Sequence, residues 1–383
     1  MSNRVGLRKV DRPELYSTID KLDRYRRYWK DSFPISLTRY NEYELNEKAT
    51  RLLEDGKRFK RIVFTGMGCS AIVSHMIRGF LLARGTSLEI EIINDYDPTY
   101  LLGRSLYDDP NTLIVISSYS GHSAEPIKAY RESFKESRGS ILFLTSGGKL
   151  GEIGEADDMP IAYWRLVQPD REYPLFHAPQ FFAIILDILK KMRVTETNYQ
   201  DDLSATQIKI GHYINSGKVW ETASVATKLR NRDLTLISTP KWHVSLMRLA
   251  QMHFNEIANH PTHMAPFHDY CHSEVAILND PRTNHGLILF KDLYEDEYTQ
   301  GKMANFSRLL TNEHAGNNAI HLEEVQLAGS TFIEQMFLGL AWIHGVTDHL
   351  GQFNLMESRE LISRAAGNAW YNADTIAEEK LRA

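Results

Sequence analysis

Two apolar runs, each ending in a loop of small residues, constrain the fold of this chain most. One run begins at Arg61 and ends in the glycine-rich loop 66–70, and another ends in the serine-rich loop 117–123. Each run predicts a buried strand, and helical spacing follows each loop. Loops after parallel strands open at the same edge of a sheet, where backbone N–H groups and hydroxyls can bind an anion. The sequence therefore predicts a phosphate pocket built from both loops.

The alternation of strands and helices continues along the chain and predicts the fold class. Residues 13–58 are expected to form two amphipathic helices interrupted at Phe33-Pro34. Strands are predicted at 61–64, 88–93, 113–116 and 141–144 and then, after a linker at 195–202, at 234–238, 275–278, 287–290 and 319–322. Helices are predicted at 181–192, 242–258, 331–344 and 357–370. This order indicates an α/β protein with two doubly wound, flavodoxin-like αβα domains and parallel sheets. The expected divisions are an N-terminal helical segment at 1–44, a first domain at 45–195 and a second domain at 200–383.

The net charge and the cysteine content limit the binding partners and the cellular compartment that we expect. The formal net charge is -5, the pI is near 6.3, and no run of like charges occurs, so neither nucleic acid nor a membrane surface is an expected partner. The two cysteines, Cys69 and Cys271, lack CxxC spacing, which favours a reducing compartment. No apolar leader follows Met1, and we expect a cytoplasmic protein that binds a small polar ligand.

The glycine-rich loop also satisfies a dinucleotide fingerprint. Gly66, Gly68 and Ala71 have the required spacing, and Asp95 follows the next predicted strand. A terminal phosphate, however, has three oxygens to satisfy and benefits from hydroxyl donors on two sides, which Ser70 and the serine-rich loop supply. A phosphate monoester is therefore the favoured ligand, with a dinucleotide and a purely structural pair of turns as alternatives.

Three segments, 63–72, 118–125 and 145–150, resemble the sugar isomerase (SIS) domain, and more narrowly the bifunctional phosphoglucose/phosphomannose isomerase family. That family has GMGGS, SYSGNTEET and TSGGKL at these places. The chain departs from it at four positions, Cys69, His122, Ser123 and Ala124, of which Ser123 keeps a hydroxyl. The resemblance implies that phosphate is bound by Gly68, Ser70, Ser118, Ser120 and Ser123.

The second half carries a candidate base and a candidate acid-base group. The segment 248–259 is similar to the family's R(W)KxQxNENAK, and His272-x-Glu274 to its HNE. A glutamate on a helix is ordinarily solvated, but aldose-ketose isomerisation needs a carboxylate and an imidazole. The resemblance implies that Glu256 is the proton-transfer base acting through a cis-enediol, and that His272 assists ring opening, across the interface of a homodimer.

Two arginines complete the candidate site, and no metal is expected. The family's ring-opening lysine is missing, since no lysine lies between Lys302 and Lys380, and Arg364 occupies the corresponding helix. A guanidinium binds anions well but stays protonated and transfers protons poorly. The sequence therefore does not establish that ring opening is retained without the lysine. Arg171 is a candidate substrate ligand near the linker. The histidine-rich run 260–272 contains two prolines and lacks zinc-ligand spacing. His344 and His349 are alternative candidates for the missing lysine's role, although a packing or surface role is favoured for each.

The sequence thus predicts an aldose-ketose isomerase of a phosphosugar, of the glucose-6-phosphate or mannose-6-phosphate type or a pathway-specific relative, that needs no cofactor. The alternative is a phosphosugar-binding regulator, or a catalytically altered relative, that has lost turnover. An amidotransferase half is disfavoured because position 2 is Ser2 and not a nucleophilic cysteine.

Overall fold

The computed structural model describes residues 18–55, 59–94, 98–166, 178–195, 199–280, 284–313 and 319–355. Within these ranges the chain forms two β-sheets with helices on their faces, which confirms the predicted α/β class. None of the described helices has both the length and the apolar character that crossing a bilayer requires.

The first sheet has six strands in the order β1-β6-β5-β4-β2-β3. They are β1 (Tyr43–Leu45), β2 (Arg61–Gly66), β3 (Glu89–Ile93), β4 (Thr112–Ser118), β5 (Ser140–Thr145) and β6 (Ile161–Trp164). Strands β2 to β6 are parallel, whereas β1 pairs antiparallel with β6. Because the chain leaves β2 for β3 on one side and then crosses to β4 on the other, the connections diverge between β2 and β4. Ligands of such sheets bind at this switch point.

The second sheet repeats this order with four parallel strands, β10-β9-β7-β8. They are β7 (Asp233–Ser238), β8 (Thr262–Pro266), β9 (His285–Lys291) and β10 (Ile320–Gln326). Here β7 and β9 flank the switch point. The second half is therefore a shorter copy of the first architecture, as the sequence predicts.

Helices cover both sheets. In chain order they are α1 (Thr18–Arg27), α2 (Phe33–Ser36), α3 (Glu47–Glu54), α4 (Cys69–Ala83), α5 (Pro98–Leu101), α6 (Arg104–Tyr107), α7 (Ala124–Ala129), α8 (Gly148–Ala156), α9 (Ala178–Lys191), α10 (Gln200–Asn215), α11 (Val219–Leu229), α12 (Pro240–Trp242), α13 (Arg248–Met252), α14 (Phe267–His272), α15 (Glu297–Glu313) and α16 (Phe332–Leu355). Single π-helical turns join some of them, at Tyr28–Ser32, Tyr130–Phe134, His243–Met247 and His253–Ile257. The chain is consequently helical without interruption over 18–36, 124–134 and 240–257.

One large hydrophobic core joins the two halves. It contains residues that face inward from both sheets, such as Phe64 and Val115 of the first and Leu236 and Ile288 of the second. Helix α4 packs in this core against the helix 240–257, and Gly79 lets the ring of Phe332 approach the α4 backbone closely. The outer faces of the two sheets have separate, smaller cores.

Two predicted elements differ from the structure. Phe33-Pro34 does not interrupt the helix, because the chain passes directly from the π-helical turn Tyr28–Ser32 into α2, which contains Pro34 near its start. The predicted strand 275–278 is wrong, since Glu274–Asn279 is a 3-10 turn in which Ile277 is exposed. The strand is instead β8, whose exposed His263 and terminal Pro266 suit the sheet edge that it occupies. The predicted helix 357–370 lies outside the described residues.

Candidate active site

The glycine-rich loop follows β2 at the switch point of the first sheet. Gly66 pairs with Ser117 of β4, and a Cβ at Gly66 would lie 2.9 Å from both the carbonyl oxygen and the Oγ of Ser117, so only glycine fits. Gly68 turns the chain into α4 with a φ of +55°, a value that glycine adopts without strain. Ser70 then lies buried in the first turn of α4.

The serine-rich loop follows β4, directly beside the first loop. The Ser118 hydroxyl is buried and donates to Ser123 Oγ at 3.2 Å. Ser120 is exposed, and its Oγ accepts a hydrogen bond from the backbone N–H of His122 at 3.3 Å. Ser123 precedes α7 as the N-cap residue. The structure thus places every predicted phosphate ligand at the ends of two neighbouring strands.

A third loop, after β5, holds the serine-rich loop in place. Ser146 donates to the Tyr119 carbonyl through both its N–H and its Oγ, at 2.9 and 2.6 Å, and Leu150 N–H donates to the Gly121 carbonyl at 2.8 Å. Gly121 has a φ of +69°, and a Cβ there would overlap the carbonyl oxygen of Gly147. The loop is therefore fixed by backbone contacts that tolerate only glycine at position 121.

The helix 240–257 brings residues of the second half to the edge of the first sheet where the glycine-rich and serine-rich loops lie. The Met252 Cε lies 3.8 Å from the position that a Cβ would take at Gly68. Four residues later comes Glu256, half-buried, whose negative charge acts on the Cys69 thiol. Burial, and secondarily this charge, raises the pKa of Cys69 well above its ordinary value. Glu256 therefore lies beside the first turn of α4, where Ser70 is found.

Glu256 lies in the π-helical turn His253–Ile257, which the sequence does not reveal. Within this turn Phe254 and Ile257 are buried in the shared core, while Asn255 Oδ1 accepts the Thr262 N–H at 2.9 Å. The turn is thus held on both sides, by core packing and by the start of β8. Such wide turns interrupt α-helices at functional sites more often than elsewhere.

His272 is not brought to Glu256 within one chain. It is exposed at the end of α14, a helix that buries Phe267 and Tyr270 in the core on the outer face of the second sheet. The helix that carries Glu256 packs on the opposite face, in the shared core. The second sheet therefore separates the two side chains.

Three candidate residues, Asp95, Arg171 and Arg364, lie outside the described residues. His344 has the packed role expected of it, with its Nδ1 2.6 Å from the Tyr25 hydroxyl oxygen. His260 in the histidine-rich run is used structurally, because Nε2 contacts the Arg232 carbonyl at 2.9 Å and Nδ1 contacts Asn354 Nδ2 at 3.1 Å. Met252 and Cys69 belong to the site but were not predicted, although each is adjacent to a predicted residue on its helix.

The architecture is that of known phosphosugar isomerases. The chain superposes on tagatose-6-phosphate ketose/aldose isomerase from Escherichia coli with a TM-score of 0.60, over 90% of this chain and 94% of that one. The sequences are 15% identical over this superposition, so the likeness concerns the fold. Fold and loops together define a double αβα protein with a glycine-rich and a serine-rich loop at its first switch point.

Sequence comparison identifies similar proteins more specifically than the fold does. Residues 219–349 match the family model of the bacterial phospho-glucose isomerase C-terminal SIS domain. The chain is 34% identical over 128 residues to a bifunctional phosphoglucose/phosphomannose isomerase of Caldicellulosiruptor bescii, a match that spans 31% of this chain and 35% of the relative. It is 24% identical over 234 residues to a D-glucosamine-6-phosphate 4-epimerase of Sulfolobus acidocaldarius, over 60% of this chain and 67% of the relative. The chain thus matches about a third of the first relative and two thirds of the second.

Proposed function

We propose that this protein is an aldose-ketose isomerase of a phosphosugar, with the phosphate held by the first half and the proton moved by the second. The observation that carries the proposal is the position of the Glu256 carboxylate beside Cys69 at the start of α4. A phosphate at Gly68 and Ser70 would leave the carbonyl end of a hexose within reach of the second half. We take the two sheets and their helices as the two domains expected from the sequence.

The phosphate is proposed to bind between the glycine-rich and serine-rich loops. Ser70, Ser118 and Ser123 supply hydroxyl donors, and Gly68 lets the backbone approach the anion closely. Because three backbone-braced loops meet there, little rearrangement is needed on binding, which favours affinity.

Glu256 is proposed to carry the proton between the two carbons. Its carboxylate would remove the proton from C2 of the open-chain aldose while O1 gains a proton, giving a cis-enediol, and would return the proton to C1 while O2 loses its proton, giving the ketose. Ring opening is assigned to His272, with Arg364 and Arg171 as further ligands of the sugar. Since the second sheet separates Glu256 from His272 in one chain, this assignment requires His272 of a second subunit, and therefore a homodimer.

The Glu256→Gln variant tests the base directly. It keeps the size of the side chain but cannot accept the proton, so we expect isomerisation to fall by about 10²–10⁴-fold. Binding of a phosphosugar, measured as the rise in melting temperature, should persist in this variant and weaken in Ser70→Ala. Full activity of Glu256→Gln on every phosphosugar that stabilises the protein would overturn the proposal.

Mixing two inactive variants tests the shared site. In a heterodimer of Glu256→Gln and His272→Ala, one of the two sites would have both native groups. Random pairing of equal amounts should therefore restore about a quarter of the native activity. Mixtures that stay inactive after confirmed subunit exchange would contradict a site shared between subunits.

A second candidate, a phosphosugar-binding regulator without turnover, is favoured by the absence of a lysine between Lys302 and Lys380. Incorporation of solvent deuterium into the sugar phosphate distinguishes an isomerase from a regulator. An isomerase exchanges it into substrate at C1 or C2 through the enediol, whereas a regulator does not. The substrates screened should include glucosamine-6-phosphate, because the name of the Sulfolobus acidocaldarius relative contains that sugar.

A further inference from the structure

The second sheet has a switch point of its own, and it faces away from the proposed active site. The strand order is the same in both sheets, so the crevice between β7 and β9 corresponds to the phosphate crevice between β2 and β4. The helix 240–257 begins at the second crevice and ends at Glu256, beside the first crevice. A helix of this length spans roughly 25 Å, at about 1.5 Å per residue. The two crevices therefore lie at opposite ends of the interface between the halves.

A single buried carboxylate fills the second crevice. Asp292 follows β9 directly, and its side chain has no solvent-exposed surface. It accepts hydrogen bonds from four donors that come from three parts of the chain. They are Lys241 Nζ, Trp242 Nε1 at 3.2 Å, Gln335 Nε2 at 2.6 Å and the Tyr294 backbone N–H at 3.0 Å. Four donors around one carboxylate are the arrangement that an anion-binding pocket presents to its ligand.

Three of the four donors, Lys241, Trp242 and Gln335, are held in place by contacts that do not involve Asp292. Trp242 is fully buried and stacks on Phe332 with 5.0 Å between ring centroids, and Phe332 and Gln335 share the first turn of α16. Lys241 lies over the Trp242 ring, with Nζ 4.6 Å from its centroid. Because these contacts do not involve the carboxylate, removal of Asp292 should leave the donors aimed at the same point.

The corresponding strand end in the first half has a different chemistry. There β4 ends at Ser118, whose hydroxyl donates to Ser123 Oγ, and the exposed Ser120 follows in the loop. The second half has an acid at the corresponding strand end. Both crevices therefore offer donors, and in the second a carboxylate of the chain is already bound to them.

We propose that the second switch point is an anion site that the protein occupies with its own Asp292, so that each chain takes up a single sugar phosphate despite its duplicated fold. The internal carboxylate closes the second crevice to phosphate and fixes the first turns of the helix that ends at Glu256. The binding of a single sugar phosphate rests on the proposed function, whereas the occupation of the second crevice rests only on the contacts of Asp292.

The charge state agrees with this assignment. Burial alone would raise the pKa of the Asp292 carboxyl, but Lys241, the Tyr294 N–H and Gln335 together hold it below its ordinary value. A second acid, Glu295, lies close by and accepts a hydrogen bond from Thr239 Oγ1. The site therefore holds an anion at neutral pH even with another carboxylate beside it.

Chemical rescue tests the proposal on the whole protein. Asp292→Ala removes the carboxylate and leaves a space that formate fits. We expect the melting temperature of Asp292→Ala to drop by several degrees, and about 100 mM sodium formate to restore roughly half of that loss relative to sodium chloride at equal ionic strength. The native protein should shift by less than about 1 °C under the same change.

Two variants make the outcome decisive. Asp292→Asn fills the space with a neutral amide and should be destabilised without rescue, and Lys241→Ala combined with Asp292→Ala should lose the rescue because the cationic donor is gone. If Asp292→Ala is recovered unfolded, its refolding yield in formate against chloride provides the same comparison. Equal behaviour of Asp292→Ala in formate and chloride would overturn the proposal, and isomerase activity does not enter this measurement.

Discussion

The buried thiol of Cys69 lies close enough to the carboxylate of Glu256 for that charge to contribute to its raised pKa, at the place where the two halves of the chain join. Cys69 opens the helix that follows the glycine-rich loop, and Glu256 ends the helix that follows the first strand of the second sheet. These two helices pack side by side, which brings the end of one beside the start of the other. Because of that packing, residues from both halves of the chain contribute to the candidate site.

Cys69 should be unreactive in the native protein. Its pKa is raised first by burial and then by Glu256, so the thiol stays protonated and inaccessible at pH 8. Cys271 is partly exposed and should react faster with a chromogenic disulfide reagent. We expect one thiol to be titrated in the native state and two in denaturant, and Cys271→Ala should remove the native signal. Glu256→Gln should leave Cys69 protected, since burial is the larger cause, and rapid native labelling of Cys271→Ala would contradict this prediction.

Gly121→Ala should destabilise the protein strongly. The residue has a φ of +69°, and its new methyl would overlap the backbone of Gly147. Strain of about 1–2 kcal/mol from the left-handed backbone adds to the cost of moving the third loop, and we expect a total above about 3 kcal/mol in urea unfolding.

Gly85→Ala is the matched control for Gly121→Ala. Gly85 has nearly the same φ, +71°, and a Cβ there meets nothing within 4 Å. Gly85→Ala should therefore lose only about 1–2 kcal/mol of stability, which is the cost of the backbone strain. Equal losses in the two variants would show that the contact with Gly147 contributes nothing.

Local patterns in the sequence predict the phosphate crevice well, because each part of it is local. The strands before Gly66 and after Leu113 are continuous apolar runs that suit the buried centre of a sheet, and both loops begin where those runs end. The short strands β1 and β6 were missed, since a strand of three or four residues has too few positions for a pattern. Their pairing depends on tertiary contacts.

The second half is less predictable because its site depends on packing. The sequence gives Glu256 as a helix residue, but the π-helical turn that holds it has no local signature. Likewise, His272 is close to Glu256 in sequence, and only the placement of β8 and α14 shows that the second sheet lies between them.

Stability should fall below pH 6.5 because of two buried imidazoles. His253 and His344 have ring centroids 4.8 Å apart, and neither Nε2 has a hydrogen-bond partner among the described residues. Burial lowers the pKa of His253 from 6.5 to about 4, and burial, with a smaller effect of His253, lowers the pKa of His344 well below its ordinary value. The unfolded chain binds a proton between pH 6.5 and about 4 that folded His253 does not. Stability from this group is thus complete above pH 6.5 and declines by roughly 3 kcal/mol as the pH falls to about 4.

Urea midpoints between pH 7.5 and 4.5 measure this dependence. His253→Gln should flatten the slope, while His212→Gln, on the exposed side of α10, should keep the native slope. A native slope in His253→Gln would show that other groups cause the acid sensitivity.

The N-terminal helix should be tied to the rest of the molecule by Arg26. Its guanidinium donates to both carboxylate oxygens of Asp348 in α16, Nε to Oδ2 at 3.0 Å and Nη2 to Oδ1 at 2.8 Å. Asp348 is buried, so Arg26→Ala leaves a desolvated carboxylate without its cation. Because 33% of the Arg26 side chain is exposed, we expect a loss of about 1–2 kcal/mol, at the low end for such pairs.

Arg39→Ala breaks the exposed Arg39–Glu42 pair and should cost less than about 0.5 kcal/mol. Urea unfolding compares the two variants, and limited proteolysis reports whether 18–36 detaches first in Arg26→Ala. Equal losses would mean that burial of Asp348 adds nothing to the value of its ion pair.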